Sequence, residues 1–207
     1  LNGAFFSTGP RCTASSRLIV EDAIHAAFVE RLSAAMGALR VGDPLEAGTQ
    51  MGPVVSEGQL AGNLDYVRLA GEEGWEVLGG QRLNRPGSFQ APALFLGARN
   101  DMRTSREEIF GPCASVIRVA DFDEALAVAN DTPFGLSSGI CTGSLKHATA
   151  FRRGSKAGMV MVNLPTAGVD YHVPFGGRGG SSLGGREQGR MAMEFYTSVK
   201  TAYTFAG

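Results

Sequence analysis

The 207-residue chain lacks most of what marks a metal centre, a membrane span or a polyanion binder. It holds only three cysteines and three histidines, and no CxxC, HxxxH or HExxH spacing occurs, so no metal site is expected. An odd number of cysteines cannot pair completely, and a chain of this length closes a core without disulfide staples. A reducing compartment is therefore expected.

No apolar run approaches the roughly 18 to 20 residues that span a bilayer. The opening Leu1-Asn-Gly-Ala-Phe-Phe6 has no basic region ahead of an apolar stretch, which predicts a cytoplasmic protein, and its abrupt apolar start predicts a chain cut from something longer. With 19 basic against 20 acidic side chains, the net charge of -1 supplies no field to hold a polyanion. Neither nucleic acid nor a membrane is expected as a partner. The glycine-rich run at 175–185 has neither the GxxxxGK[ST] nor the strand-linked GxGxxG arrangement, so a phosphate site is not expected there either. Close backbone approach to another element accounts for its glycines more simply.

What is present is a globular composition, 43% hydrophobic and 19% charged, punctuated by 29 glycines. Arg17-Leu-Ile-Val20 reads as a short buried strand, and the apolar positions Ile24, Phe28, Leu32, Met36 and Leu39 follow at helical spacing. Asp22 is the expected N-cap, and Val41-Gly-Asp-Pro44 forbids continuation. Ser56-Glu-Gly-Gln59 has capping-box spacing ahead of a second helix ending near Gly71. Trp75–Leu78, Ala93–Leu96, Ser115–Ala120, Gly139–Thr142 and Gly158–Asn163 read as strands, with helices from the Asp121 cap to Asn130 and from Ser144 to Arg153.

Strands alternating with capped helices predict an α/β fold, a mostly parallel twisted sheet with helices on both faces. Residues 187–193 are expected as a short helix. The alternating Phe195–Phe205 is rich in Thr, Tyr and Val and reads as a terminal strand with no partner of its own, hence an oligomerisation tail. The chain divides accordingly into 1–193 and 194–207.

Cys12 lies in a polar, glycine-containing loop beside Arg11 and just before the first strand. A thiolate is the reactive form of cysteine, and a neighbouring positive charge favours it. The residues alone leave Cys12 open as nucleophile or inert thiol, and a Cys12–His172 hydrolase pair open as a rival. Cys113 and Cys141 lie in apolar runs and are expected to pack as small hydrophobes. Ser105 and Glu108 have capping-box spacing, but Gly111-Pro112 allows only one turn of helix after it. Glu108 and Phe110 read either as part of that turn or as a carboxylate and an aromatic displayed together, a pairing suited to ribose hydroxyls.

Several segments together resemble the aldehyde dehydrogenase superfamily, in that family's order: Phe6-Ser-Thr-Gly-Pro-Arg-Cys12, Val41-Gly-Asp-Pro-Leu45, Met51-Gly-Pro53, Arg106-Glu-Glu-Ile-Phe-Gly-Pro112, Asn130-Asp-Thr-Pro-Phe-Gly-Leu136, Pro174-Phe-Gly-Gly177 and Phe195-Tyr-Thr197. The wording around Arg11–Arg17, Val169–Arg178 and Arg186–Arg190 looks most like the alpha-ketoglutaric semialdehyde (2,5-dioxovalerate) dehydrogenase subgroup. Two places depart from the pattern. Pro10 stands where the family has Gln, fixing φ and removing an N–H, and Gly179 follows Arg178 where the subgroup has Lys.

The resemblance implies the C-terminal part of an NAD- or NADP-dependent oxidoreductase that converts a small aldehyde to its acid. It places the nucleophile at Cys12, whose own N–H would serve the oxyanion. It implies that Glu108 binds the nicotinamide ribose, that Phe110 lies beside the nicotinamide, and that Val169, Tyr171, His172 and Phe175 line the substrate tunnel. Arg11 offers its charge to a substrate carboxylate. The tail would join a homo-oligomer, a dimer or tetramer. Because the family's remaining catalytic groups lie upstream of Leu1, the isolated chain is expected to be inactive. A non-catalytic remnant or assembly module of the same fold, or a cysteine esterase, are the alternatives.

Overall fold

A computed structural model describes residues 1–207. Its elements in chain order are α1 (Asn2–Phe5), β1 (Arg17–Glu21), α2 (Asp22–Gly37), α3 (Glu57–Glu72), β2 (Glu76–Gly79), β3 (Ala93–Leu96), α4 (Arg103–Arg106), β4 (Cys113–Val119), α5 (Phe122–Asn130), β5 (Ser137–Ile140), α6 (Leu145–Gly154), β6 (Met159–Val162) and α7 (Ala192–Tyr196). No helix is long and apolar enough to cross a membrane.

The strands β1, β4, β3 and β2 form one sheet in that order. β4 runs parallel to both β1 and β3, and β2 is the antiparallel edge. Alternate side chains leave on opposite faces of a strand, so each central strand feeds two cores. Leu94, Ala114 and Val116 pack with Phe5, Leu32 and Met36 on one face. Ala93, Phe95 and Cys113 pack with Ala70 and Ile109 on the other, and Ile117 and Val119 meet α5 through Ala125 and Val128. The α/β fold with helices on both faces is as expected, but β5 and β6 form a separate two-stranded parallel sheet.

Several local expectations are corrected by long-range partners. Asp22 is the first helical residue of α2, and Glu21 precedes it without a side-chain cap. The Asp22 carboxylate is drawn instead to Arg118, the β4 residue that pairs with Val20 in the parallel β1–β4 register. The single turn of α4 contains Ser105 instead of starting after it. Its cap arrives from the end of α3, where the Glu73 carboxylate accepts from the Arg103 N–H at 3.2 Å and the Thr104 hydroxyl at 3.1 Å. Ser56 and Asp121 do cap their helices, accepting from Gln59 and Glu124 N–H. The β5 strand ends at Ile140, so Cys141 is exposed and does not pack as a hydrophobe.

The tail is not a strand within this chain. A 3-10 turn (Gly189–Met191) leads into α7, which runs through the boundary at 193, and no pairing follows it. Val199, Tyr203 and Phe205 are each more than 90% exposed. Alternating side chains can bury one face only against an opposing strand, and none of this chain's strands reaches them.

Arg17 anchors the start of β1. Its guanidinium donates to the Val128 and Ala129 carbonyls at 2.9 and 3.1 Å, capping the C-terminal turn of α5, and to Asn100 Oδ1 at 2.6 Å. Those carbonyls are the groups a helix end leaves unpaired, and a cation complements the negative end of the dipole. Burial, reinforced by nearby Arg106, still holds the Arg17 guanidinium below its ordinary range.

Cys113 makes the two-sided core sensitive to alkali. Burial pushes its thiol up to about 12, against the opposing hydrogen bond from Gln90. An unfolded thiol ionises near about 8.5, so above that pH the unfolded chain loses its proton first and gains on the folded one. Stability, measured as the urea midpoint, should fall as pH rises from about 8.5 towards about 11, and Cys113→Ala should remove part of that slope.

Candidate active site

The loop carrying Cys12 is built from backbone conformations that most residues avoid. After α1, Ser7 and Thr8 lie at φ 58° and 60°, and Gly9 continues at φ 76°. Positive φ costs an ordinary residue about 1 kcal/mol or more and persists only where the surroundings impose it. Here they do. The Thr8 hydroxyl donates to the Gly52 carbonyl at 3.1 Å, and a Cβ on Gly9 would overlap the carbonyl of Gly111. The Arg11 N–H reaches back over Pro10 to the Gly9 carbonyl at 2.8 Å, and the Ala14 N–H closes a turn on the Arg11 carbonyl at 2.9 Å. Pro10 removes no bond that this turn uses.

Cys12 stands exposed inside that turn, and its N–H makes no backbone hydrogen bond. Thr13 beside it is buried. The Arg11 guanidinium donates to the Ser7 hydroxyl, four residues back on the same loop. Ser15 ties the far side of the loop down: its N–H donates to the Gly3 carbonyl at 2.8 Å, and its hydroxyl lies 2.8 Å from that of Thr166.

Thr166 begins the segment that forms the opposite wall. A cleft of about 520 Å³ opens between these loops, lined by Arg11, Cys12, Phe110, Val169 and Phe175 among the residues singled out in the sequence. Pro10, Thr13, Gly168 and Gln188 complete the lining. The glycine-rich run beyond Phe175 packs as expected by close backbone approach, the Arg178 and Gly180 N–H groups donating to Gly135 and Pro133 carbonyls at 2.9 Å each.

Glu108 and Phe110 lie on the loop between α4 and β4. Phe110 adopts φ 57° and faces the cleft, 40% exposed. Glu108 is exposed one residue outside Ile109, which is buried in the core. Its neighbour Glu107 is the carboxylate the protein itself uses: Arg103 donates to it at 2.8 and 3.0 Å and Tyr66 at 2.7 Å, holding it below the usual carboxylate range. The two adjacent carboxylates thus differ, Glu107 tied into the fold and Glu108 turned to solvent, outside the lining of the cleft that Phe110 reaches.

Tyr171 and His172 are not brought to the lining. Both are exposed, their rings meeting edge to face at 5.5 Å. Their backbone serves the loop, the Tyr171 carbonyl accepting from the Gly189 N–H. The rival pairing of Cys12 with His172 is therefore not assembled in this cleft. Gln188 was missed by sequence reasoning. It sits at φ 68° because the Phe175–Glu187 bridge fixes the residue before it, and its Oε1 is buried without a partner. Nothing in the local sequence signals that position. No group of three His, Cys, Asp or Glu side chains converges as metal ligands would.

Comparison with known proteins gives a consistent picture. The model of the aldehyde dehydrogenase family matches residues 1–202. The alpha-ketoglutaric semialdehyde dehydrogenase of Bacillus subtilis is 39% identical over 98% of this chain and 43% of its own length. Its counterpart in Haloferax volcanii is 42% identical over the same shares. A betaine aldehyde dehydrogenase of Staphylococcus aureus, solved in complex with NAD+, superposes with a TM-score of 0.91 at 31% identity, over 95% of this chain and 40% of that one. The chain spans less than half the length of these relatives.

If the Gly9–Gly111 contact sets the cleft, Gly9→Ala should cost about 2 kcal/mol or more, since a positive-φ alanine adds to a backbone overlap. Thermal melting measures this, and an unchanged melting temperature would show the contact is not needed.

Proposed function

Because the chain belongs to the aldehyde dehydrogenase family, we propose that it carries the thiol-bearing part of an NAD(P)-dependent aldehyde oxidation site, with Cys12 as nucleophile. The observation that carries this reading is the exposed Cys12 thiol sharing one cleft with Phe110, on the loop that also carries the exposed Glu108. An inert structural thiol would resemble Cys113, sealed in the core.

In this reading the Cys12 thiolate adds to the aldehyde carbon, forming a C–S bond while the carbonyl π pair moves to oxygen. The N–H of Cys12, which makes no backbone hydrogen bond, would serve that developing oxyanion as a donor, a contact whose loss typically costs on the order of 100-fold in rate. A bound nicotinamide would supply the acceptor for the hydride that leaves the former aldehyde carbon, whose C–H bond breaks as the oxyanion pair re-forms C=O and leaves a thioester on Cys12. Water then attacks the thioester, the C–S bond breaks, and the sulfur leaves with its electron pair as the acid departs.

The residues present suit that cofactor. Glu108 offers two acceptor oxygens for ribose hydroxyls, as carboxylates do in other dinucleotide sites, and Phe110 offers an apolar face. For the substrate, the Arg11 cation in the lining of the same cleft favours an aldehyde bearing a carboxylate. The likeness to two alpha-ketoglutaric semialdehyde dehydrogenases supports that choice. Val199, Tyr203 and Phe205 supply one face of a strand that a second copy would pair.

The chain by itself is expected to show no NAD(P)-dependent aldehyde oxidation. Chloroacetaldehyde should nonetheless label Cys12 faster than the likewise exposed Cys141 by peptide mass, with the fast phase lost in Cys12→Ser, and a Cys12 rate no higher than that of Cys141 would remove the nucleophile. Hydrolysis of an ester without NAD(P) would instead favour an esterase. Arg11→Met should lower the rate at Cys12 with iodoacetate relative to iodoacetamide by about threefold or more, because only the former carries the charge that Arg11 attracts. An unchanged ratio would deny Arg11 that role.

Sedimentation velocity should show self-association of the chain. Truncation after Thr197 should reduce it, and a purely monomeric profile at high concentration would remove the tail from assembly.

A further inference from the structure

A second constellation lies behind the cleft and takes no part in the chemistry just described. Three amide side chains run in one donor-to-acceptor direction from the surface into the core. Gln59 Nε2 donates to Asn63 Oδ1 at 2.8 Å, and Asn63 Nδ2 donates to Gln90 Oε1 at 3.0 Å. Gln90 Nε2 ends the chain on the Gly80 carbonyl at 3.3 Å and the Cys113 sulfur at 3.8 Å. Asn63 and Gln90 are fully buried.

Burying two amides is costly unless each is satisfied, and an apolar pair of similar size would fill the same space without that demand. What the amides provide is direction. The same Gln59 nitrogen donates to the Ile109 carbonyl at 3.0 Å, one residue before Phe110. The Asn63 side chain occupies the place where a Cβ of Gly111 would stand, one residue after Phe110. Gly111 in turn presses its carbonyl on Gly9, ahead of Arg11 and Cys12.

From this arrangement we infer that Gln59, Asn63 and Gln90 are positioning residues, which hold the Phe110 loop from behind and, through the Gly111–Gly9 contact, set the presentation of Cys12. The inference deepens the reading of Cys12 as nucleophile and rests on it for its functional meaning, but the mechanical link stands on geometry alone. Phe110 at φ 57° is where the constraint shows: a loop held at Ile109 and Gly111 on either side leaves the residue between them little freedom to relax. None of the three amides lines the cleft, so they act through Ile109 and Gly111 only.

The test is the ratio of carbamidomethylation rates at Cys12 and Cys141 within one molecule. Both thiols are exposed, and they lie on different loops. With iodoacetamide well below the melting temperature, Gln59→Met removes both bonds to Asn63 and Ile109 while keeping an aliphatic stem. The Cys12:Cys141 ratio should shift by about threefold or more, because small displacements of a reacting group are felt steeply in rate. Asn63→Leu combined with Gln90→Leu removes the two buried amides together, so that neither is left facing an absent partner and the only backbone bond lost is the long one of 3.3 Å to the Gly80 carbonyl. Its melting temperature should stay near that of the parent while the ratio shifts as in Gln59→Met.

A parental ratio in Gln59→Met overturns the inference, and that variant decides alone should the double variant fail to fold. A double variant that melts like the parent and keeps the parental ratio overturns it as well. The readout compares variants with the parent, so it is separate from the aldehyde chemistry. Should chloroacetaldehyde fail to label Cys12 selectively while the ratio moves, the positioning chain stands and the nucleophile assignment falls.

Discussion

The cleft exists because the backbone at Gly9 lies against the carbonyl of Gly111, an approach neither loop could make with a Cβ in between. Everything functional hangs from the two sides of that contact. On one side the chain turns through Arg11 and Cys12 before entering β1, and on the other it carries Glu108 and Phe110 before entering β4. Those two strands are parallel neighbours in register from Arg17–Ser115 to Glu21–Val119. The loops are thus set by the sheet at one end and by glycine packing at the other, so their relative position is overdetermined.

Such a frame can hold residues in conformations they would not choose. Among non-glycine residues, Ser7, Thr8, Phe110, Asn163 and Gln188 have positive φ. Two of them line the cleft, and Ser7 and Thr8 lead into it. Each costs free energy that the packing around it must offset. The offset is visible in the buried Phe5 at the end of α1, in the Thr8–Gly52 bond, and in the amides behind Gly111. Where no such frame exists, beyond α7, the chain forms no regular structure.

Reading the chain residue by residue recovered the strands β1, β3 and β4 and the caps at Ser56 and Asp121, because these depend on spacing and on bonds within four residues. Asp22 and Ser105 misled for the opposite reason. Their expected local bonds lost to partners far along the chain, Arg118 for the first and Glu73 for the turn around the second. The failure at Cys141 came from a strand displaced by two residues, which moved a thiol from strand to exposed loop. Tyr171 and His172 were placed by resemblance to a tunnel wall, but in this chain the loop turns them outwards, with its backbone engaged by Gly189.

Composition and periodicity by themselves determined that this is an α/β protein with a two-sided sheet, since the alternation of apolar runs and capped helices permits little else. They also marked Cys12 as unlike Cys113, because a polar loop and an apolar strand are distinguishable by their neighbours. Only the tertiary structure decided which of Glu107 and Glu108 is committed to an ion pair, that Gln188 reaches the cleft, and that Asn63 backs Gly111. Those outcomes depend on contacts between residues separated by tens of positions. Such contacts are settled by packing, and no local pattern of residues encodes them.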